Sequence, residues 1–144
     1  MKKIMFVGSV GVGKTTLTQR LKGLDIEYFK TQAVQFHDSI IDTPGEFLQH
    51  RRYYNALTLT AAEAEIIGLL IAGNSTMQTF PQGFSSLFNQ DVIGIISKID
   101  LVDSEEQLEF ARKQLIDAGV KRIFEISSTE NTGIDALKDF LESE

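Results

Sequence analysis

A short segment near the start of the chain has the spacing of a phosphate-binding loop. Gly8 is followed by four variable residues and then by Gly13, Lys14 and Thr15, and an apolar run over residues 4–7 precedes it. Glycines let the backbone approach an anion closely, and the N–H groups at the start of the following helix then donate to phosphate oxygens. In this pattern the lysine contacts the β- and γ-phosphates, and the threonine hydroxyl binds Mg²⁺.

The segment therefore predicts binding of a nucleoside triphosphate together with magnesium. A chance glycine-rich turn is the alternative, and the strand-then-helix context disfavours it. The residues assigned to the phosphates are Gly8, Ser9, Val10, Gly11, Val12, Gly13, Lys14, Thr15 and Thr16.

A second segment, Asp42-Thr43-Pro44-Gly45, directly follows the apolar pair Ile40-Ile41. In nucleotide-switch proteins an aspartate at this place holds Mg²⁺, usually through water, and the glycine N–H meets the γ-phosphate. In isolation, such a sequence is more typical of a simple turn. Its position after an apolar strand, downstream of a phosphate loop, favours the magnesium interpretation.

Two further segments could bind the base. Asp100 follows the apolar run 92–96, and its carboxylate could accept the N1 and N2 protons of guanine, which adenine does not offer there. The stem of Lys98 could lie across the base or the ribose. The backbone N–H groups of Ser127 and Ser128, after the last apolar run, could meet the guanine oxygen. The alternative for both segments is an ordinary loop with solvated side chains.

The elements that must position these residues can be predicted from hydrophobic patterning. Continuous apolar runs are typical of parallel strands buried on both faces. Between them, helices are predicted after Gly45, from Ser104 to Gly119, and from Thr132 onward, where Ser104 with Gln107 and Thr132 with Asp135 have the spacing of capping boxes. The apolar runs are residues 4–7, 39–41, 66–71, 92–96 and 122–126.

We therefore predict a single α/β domain over residues 1–144. Its expected architecture has three layers, with a mostly parallel sheet of about five to six strands and helices on both faces. The interval from Thr31 to Asp42 is too short for a full two-strand hairpin, so an edge strand is expected to be poor or missing. Residues 74–90 are predicted to form a long loop with a short helix.

In the order of these segments the chain resembles the translation-factor class of P-loop GTPases. Each segment is predicted to follow a strand, and ligands of open α/β sheets bind at the carboxyl ends of strands. The resemblance implies that Thr31 is the switch threonine that contacts magnesium and the γ-phosphate. An exposed loop threonine is the alternative. The implied magnesium ligands are thus Thr15, Thr31 and Asp42, and the implied catalytic residues are Lys14, Thr31, Gly45 and Glu46.

Three segments narrow the resemblance to the EutP/PduV family. These are residues 30–34, Lys-Thr-Gln-Ala-Val, and residues 42–47, Asp-Thr-Pro-Gly-Glu-Phe, together with the Ser-Lys-Ile-Asp of residues 97–100. The resemblance spans the whole chain. It implies a GTPase-like switch or scaffold of ethanolamine or propanediol utilisation, with shell or enzyme proteins of a bacterial microcompartment as partners. It also implies an ATP-dependent acetate kinase as an alternative. The third candidate function is a nucleotide-binding module without turnover.

Two substitutions depart from the usual GTPase pattern. Ser97 stands where the base-reading motif normally has asparagine, and a hydroxyl cannot make all the bonds of an amide. Selectivity for guanine over adenine is therefore open, and both GTP and ATP are retained as ligands. Glu46 stands where many GTPases have a glutamine that orients water. It could act as a base, repel the γ-phosphate, or only favour a helix start.

Composition limits the remaining classes. The chain has no cysteine, which excludes disulfides and cysteine-ligated metal sites and fits a reducing cytoplasm. Its net charge of −6 disfavours a nucleic-acid partner. The longest apolar run, residues 66–72, is far shorter than the roughly 20 residues that span a bilayer. No signal peptide is apparent, so a cytoplasmic protein is expected, and the sequence does not indicate its oligomeric state.

Overall fold

A computed structural model describes residues 2–8, 16–17, 20–21, 40–42, 54–76, 78–127, 130 and 132–142. The strands are β1 (Ile4–Gly8), β2 (Ile40–Asp42), β3 (Ile66–Ala72), β4 (Asp91–Ser97) and β5 (Ile123–Glu125). The first helix, α1, includes residues 16, 17, 20 and 21. It is followed by α2 (Tyr54–Ala61), α3 (Glu105–Ala118) and α4 (Ile134–Glu142), with short 3₁₀ helices at Phe84–Leu87 and Ile99–Leu101.

The five strands form one sheet in the order β2-β1-β3-β4-β5, and every pairing is parallel. This confirms the predicted α/β class and the lower end of the predicted strand number for the described residues. Since all strands run the same way, their carboxyl ends meet at one edge. The order changes direction at β1, whose neighbours β2 and β3 lie on opposite sides. Ligands of open α/β sheets bind at such a point.

Helices cover both faces of the sheet, as predicted. On one face, alternate residues of β1, β3 and β4 pack with α2, α3 and the segment around Phe84. On the other face, the remaining residues of these strands pack with α1 and α4. The strands can be continuously apolar because each face has its own core. Each helix buries at least one leucine completely against the sheet. These leucines are Leu21 of α1, Leu57 of α2, Leu115 of α3 and Leu137 of α4.

Helix α3 begins and ends as the sequence predicts. The Ser104 hydroxyl accepts a hydrogen bond from the Gln107 N–H at 3.3 Å. The Gln107 side chain accepts from the Asp103 N–H at 2.7 Å, one residue before the position expected for a capping box. At the other end Gly119 has a φ of 100°, a left-handed conformation that favours glycine, and its N–H donates to the Leu115 and Ile116 carbonyls.

The segment between β3 and β4 is held against two helices. The Gln114 side chain of α3, only 3% exposed, accepts a hydrogen bond from the Thr79 N–H at 2.8 Å. The Gln90 side chain donates to carbonyls of Ala61 and Ala64 at the end of α2. A short helix at Phe84–Leu87 confirms the predicted loop-plus-helix arrangement. No helix in the described part of the chain is long and apolar enough to cross a membrane.

Candidate nucleotide site

The carboxyl edge of the sheet gathers several of the residues singled out in the sequence. Strand β1 ends at Gly8, and Thr16 is already helical. A strand therefore precedes the predicted phosphate loop and a helix follows it. Asp42 is the last residue of β2, with its backbone in register with Phe6 of β1. Ser97 ends β4 and is in register with Ala72 of β3.

Asp100 and Ser127 form a direct side-chain contact at this edge. The Ser127 hydroxyl donates to the Asp100 carboxylate oxygen Oδ1 at 2.7 Å, although the residues are 27 positions apart. Ser127 is fully buried, whereas Asp100 is exposed. A fully buried hydroxyl bonded to a carboxylate is a charge-assisted contact that fixes the position of the carboxylate. The sequence predicted that both residues bind the base, but not that they contact each other.

The backbone around Asp100 is also held tightly. Lys98 has a φ of 56°, which is unusual for a residue other than glycine, and the chain turns there into the 3₁₀ helix that carries Asp100. The Ile99 N–H donates to the Ile126 carbonyl at 3.2 Å, which joins this turn to the residue before Ser127. The two predicted base-binding segments are therefore one structural unit.

Ser97 lies beneath this turn and is 3% exposed. Its hydroxyl oxygen is 3.5 Å from the Ile71 carbonyl oxygen, and its own carbonyl accepts from the Gly73 N–H at 2.7 Å. An added Cβ at Gly73 would lie 2.7 Å from a methyl carbon of Val102, so a residue with a side chain at this position would displace Val102. Ser97 thus joins the ends of β3 and β4 directly under the candidate base site.

The Ser127 backbone closes the loop after β5. Its N–H donates to the Thr132 carbonyl at 3.0 Å, and the Thr132 N–H donates back to Ser127 at 2.9 Å. The Ser127 N–H, which the sequence assigned to a guanine oxygen, is thus engaged within the loop in this structure. The Ser127 hydroxyl also accepts from the Glu130 N–H at 3.2 Å. One serine thus holds both the loop after β5 and Asp100.

The remaining predicted site residues lie outside the described residues, and for Asp42 the structure describes the backbone only. Among the described residues, no group of three or more histidine, cysteine or acidic side chains could by itself hold a metal ion. The predicted residues that lie outside are Ser9, Val10, Gly11, Val12, Gly13, Lys14, Thr15, Thr31, Gly45, Glu46 and Ser128.

Comparison with known proteins shows the family of this chain. A family model described as PduV-EutP, ethanolamine utilisation and propanediol utilisation, matches residues 1–143. The chain belongs to the PduV-EutP family. It is 40% identical over 141 residues to the "Propanediol utilization protein PduV" of Citrobacter freundii, covering 98% of the chain and 93% of that protein. It is 38% identical over 146 residues to the "Probable acetate kinase EutP" of Escherichia coli (strain K12), covering 99% and 91%.

A more distant relative bears on the fold. The chain is 26% identical over 159 residues to "GTPase Era" of Sinorhizobium medicae, which covers 96% of the chain and 51% of Era. Together with the parallel sheet and its two helical layers, this places the PduV-EutP chain in the α/β class of P-loop nucleotide-binding folds. It confirms both the predicted fold class and the predicted resemblance to GTPases.

Sequence reasoning missed two residues that shape the site. Thr132 pairs with Ser127, and Gly133 follows it with a φ of 76°. The capping-box spacing predicts that the last helix opens at Thr132, whereas α4 begins at Ile134. The Thr-Gly dipeptide between a loop and an apolar helix was the available signal, because glycine commonly supplies left-handed backbone at such junctions.

Proposed function

We propose that this PduV-EutP chain is a Mg²⁺-dependent nucleoside-triphosphate-binding protein with a GTPase-like site, which acts as a switch or scaffold linked to a bacterial microcompartment. The observation that carries the proposal is the Asp100 carboxylate, oriented by the buried Ser127 hydroxyl at the carboxyl edge of the sheet. A fixed carboxylate at the ligand-binding edge can accept two protons from guanine, whereas adenine presents none at those positions.

The phosphates are assigned to the segment between β1 and α1. Lys14 there would contact the β- and γ-phosphates, and backbone N–H groups would donate to their oxygens. Gly8, at the carboxyl end of β1, and helical Thr16 flank this segment, and the strand order changes direction at β1. This placement supports the phosphate assignment on geometric grounds independent of the base-side contact.

Magnesium is assigned to Thr15, Thr31 and Asp42. Mg²⁺ prefers oxygen ligands and usually binds through one or two side chains, phosphate oxygens and water. Asp42 ends the strand beside β1, so its backbone position fits a ligand near the phosphates. When bound, the ion would neutralise phosphate charge. Lys14 would bind and orient the same group, and Gly45 with Glu46 would face the γ-phosphate.

Direct titration tests the proposal. We expect GTP to bind the full chain in the presence of Mg²⁺ and to bind much more weakly in EDTA or to Lys14→Ala. Lys113→Ala, which truncates a lysine of α3 whose side chain is 77% exposed, provides a matched surface control that should bind as the wild type does. Equal binding by wild type and Lys14→Ala in a folded state would contradict the phosphate assignment.

An ATP-dependent acetate kinase is the second candidate. It is favoured by the similarity to a protein named "Probable acetate kinase EutP", and by Ser97 in place of the asparagine that usually accompanies guanine selectivity. The reaction would transfer the γ-phosphoryl of ATP to an acetate oxygen, giving acetyl phosphate and ADP. Acetate-dependent ADP release that Lys14→Ala abolishes would establish it.

A further outcome is folded protein that binds nucleotide yet releases neither ADP in the presence of acetate nor phosphate by hydrolysis. That result would favour a nucleotide-binding module without turnover. A partner could still stimulate such a protein, because GTPases are often slow until a partner completes the site. Phosphate release should therefore be measured with and without microcompartment shell or enzyme proteins. Stimulation by these proteins would support the switch; no release under either condition would support a scaffold.

A further inference from the structure

The loop after β5 is closed on itself next to the candidate base site. Ser127 and Thr132 exchange two backbone hydrogen bonds, of 3.0 and 2.9 Å, across this loop. Inside the closed loop, the Ser127 hydroxyl accepts from the Glu130 N–H and donates to Asp100. The position of the Asp100 carboxylate therefore depends on whether the loop stays closed.

Gly133 determines how this loop leaves the sheet. Its φ is 76°, and a Cβ added there would overlap the carbonyl oxygen of Glu125 and lie 3.2 Å from a side-chain carbon of Ile126. The backbone after the loop therefore rests directly on β5. A residue with a side chain at this position would force either β5 or the loop to move.

Strand β5 is held in place by its neighbours. β5 is paired with β4 from Ile123 to Glu125, and the Ile126 N–H continues the ladder to the Ile96 carbonyl at 2.8 Å. The Glu125 carboxylate is bonded to the Arg112 guanidinium of α3 at 2.8 Å. On the other side, Ile134 at the start of α4 is fully buried in the core. A side chain at position 133 would therefore move the loop that lies between β5 and α4.

We infer that Gly133 is a positioning residue for the nucleotide base: it seats the loop so that Ser127 can orient Asp100. This inference rests on the proposed function and deepens it. Gly133 lies on the base side, whereas the phosphates are assigned to the segment after β1. Its effect should therefore appear in the affinity for a complete nucleotide and not in the affinity for a phosphate chain alone.

The test compares two probes, GTP and inorganic tripolyphosphate, both with Mg²⁺, on wild type and Gly133→Ala. Because the variant should disturb a hydrogen bond to a charged group, we expect GTP to bind Gly133→Ala about tenfold or more weakly than it binds wild type. Tripolyphosphate should bind both proteins equally. An unchanged GTP affinity, or an equal loss for both probes, would overturn the inference.

Two other glycines provide matched controls. Gly83 has a φ of 74° with nothing within 4 Å of an added Cβ, so Gly83→Ala measures the cost of left-handed backbone alone. Gly119 has a φ of 100°, and its added Cβ would meet only the Ser85 side chain. Both variants should lose stability and keep the wild-type ratio of GTP to tripolyphosphate affinity. A changed ratio in either control would show that general destabilisation, not the seating of the loop, moves it.

A second variant covers the case in which Gly133→Ala does not fold. Thr132→Pro removes the N–H that donates to the Ser127 carbonyl, without placing a side chain against β5. It should show the same selective loss of GTP affinity, and full retention would overturn the inference. Failure of wild type to bind either probe would instead reject the proposed function, so the two failures are distinguishable.

Discussion

Asp100 is the residue on which base recognition depends in this site. Its carboxylate is exposed, yet one oxygen is held at 2.7 Å by a buried hydroxyl. An exposed carboxylate normally samples several side-chain orientations, and holding it in one reduces the entropy lost when a ligand binds. The contact with Ser127 therefore serves specificity as well as structure.

Asp100→Asn should change the preferred base from guanine to xanthine. The asparagine amide donates where the carboxylate accepted, so it suits xanthine, which has a second carbonyl oxygen where guanine has its amino group. We expect Asp100→Asn to bind GTP about tenfold or more weakly and xanthosine triphosphate more strongly than wild type does. Competition titrations with both nucleotides measure this, and parallel changes for the two would contradict the assigned role.

Ser97 is the second residue that bears on selectivity. Its hydroxyl lies 3.5 Å from the Ile71 carbonyl oxygen, under the turn that carries Asp100. An asparagine amide has two N–H donors in place of the single hydroxyl donor, and its donor and acceptor atoms reach further from the backbone than the hydroxyl does. Ser97→Asn should therefore raise the ratio of GTP to ATP affinity, by about tenfold if one bond to the base side is gained. Thermal unfolding provides the control for folding, and an unchanged ratio in folded protein would show that Ser97 does not limit selectivity.

Helix α3 packs closely against strand β4, the strand that ends at the candidate site. Gly94, in the middle of β4, faces Leu115 of α3, and a Cβ added there would lie 2.8 Å from a Leu115 methyl carbon. Strand β4 leads directly to Ser97 and Asp100. The distance between α3 and the sheet is therefore set by a residue with no side chain.

Gly94→Ala should destabilise the fold by about 1–3 kcal/mol because it overpacks this contact. Leu115→Ala alone should also destabilise, by leaving a cavity. In the double variant the new methyl group partly fills that cavity, so the loss should be smaller than the sum of the two single losses. Urea unfolding measures all three, and strict additivity would show that the two residues do not share the contact.

The sequence predicted the interiors of these elements better than their junctions. Apolar runs located all five strands, because strands covered on both faces have few alternatives to apolar residues. The Ser104 cap and the Gly119 stop were predicted because each acts within a few residues. The start of α4 was misplaced, since Thr132 pairs with Ser127 and not with the helix. The contact between Ser127 and Asp100 could not be predicted, because it depends on how two separate loops meet.

At the scale of the whole molecule, charge pairs tie the ends of elements together. The Arg112 side chain of α3 bonds Glu125 of β5 and also Glu105 and Glu109 of its own helix. The Glu125 carboxylate, with the other two, raises the pKa of Arg112 above its ordinary value. At the opposite, amino edge of the sheet, Lys121 bonds Asp91 at 2.9 Å. The pair of Asp91 with Lys121 joins the start of β4 to the segment just before β5, at the edge away from the candidate site.

The pair of Asp91 with Lys121 predicts a dependence of stability on pH. Lys121 lowers the pKa of Asp91 below its ordinary value of 3.8. A carboxyl group with a lowered pKa in the folded state adds stability above its ordinary pKa, and this is lost as pH falls through the lowered value. Asp91→Asn should therefore be slightly less stable than wild type in urea at neutral pH. The difference should vanish well below pH 3.8.

High salt should also reduce this difference at neutral pH, because both side chains are exposed and are screened by ions. Lys121→Met is the matched control and should show the same pH dependence as Asp91→Asn. A difference that grows on acidification would contradict the assigned pair.

The central claim, that a phosphate loop and the oriented Asp100 together form a guanine-nucleotide site, is tested most directly by competition. A fluorescent GTP analogue bound to wild type with Mg²⁺ is displaced by unlabelled GTP or ATP. The account predicts displacement by GTP at lower concentrations than by ATP, and loss of that preference in Asp100→Ala. Equal displacement by ATP and GTP, unchanged in Asp100→Ala, would contradict it.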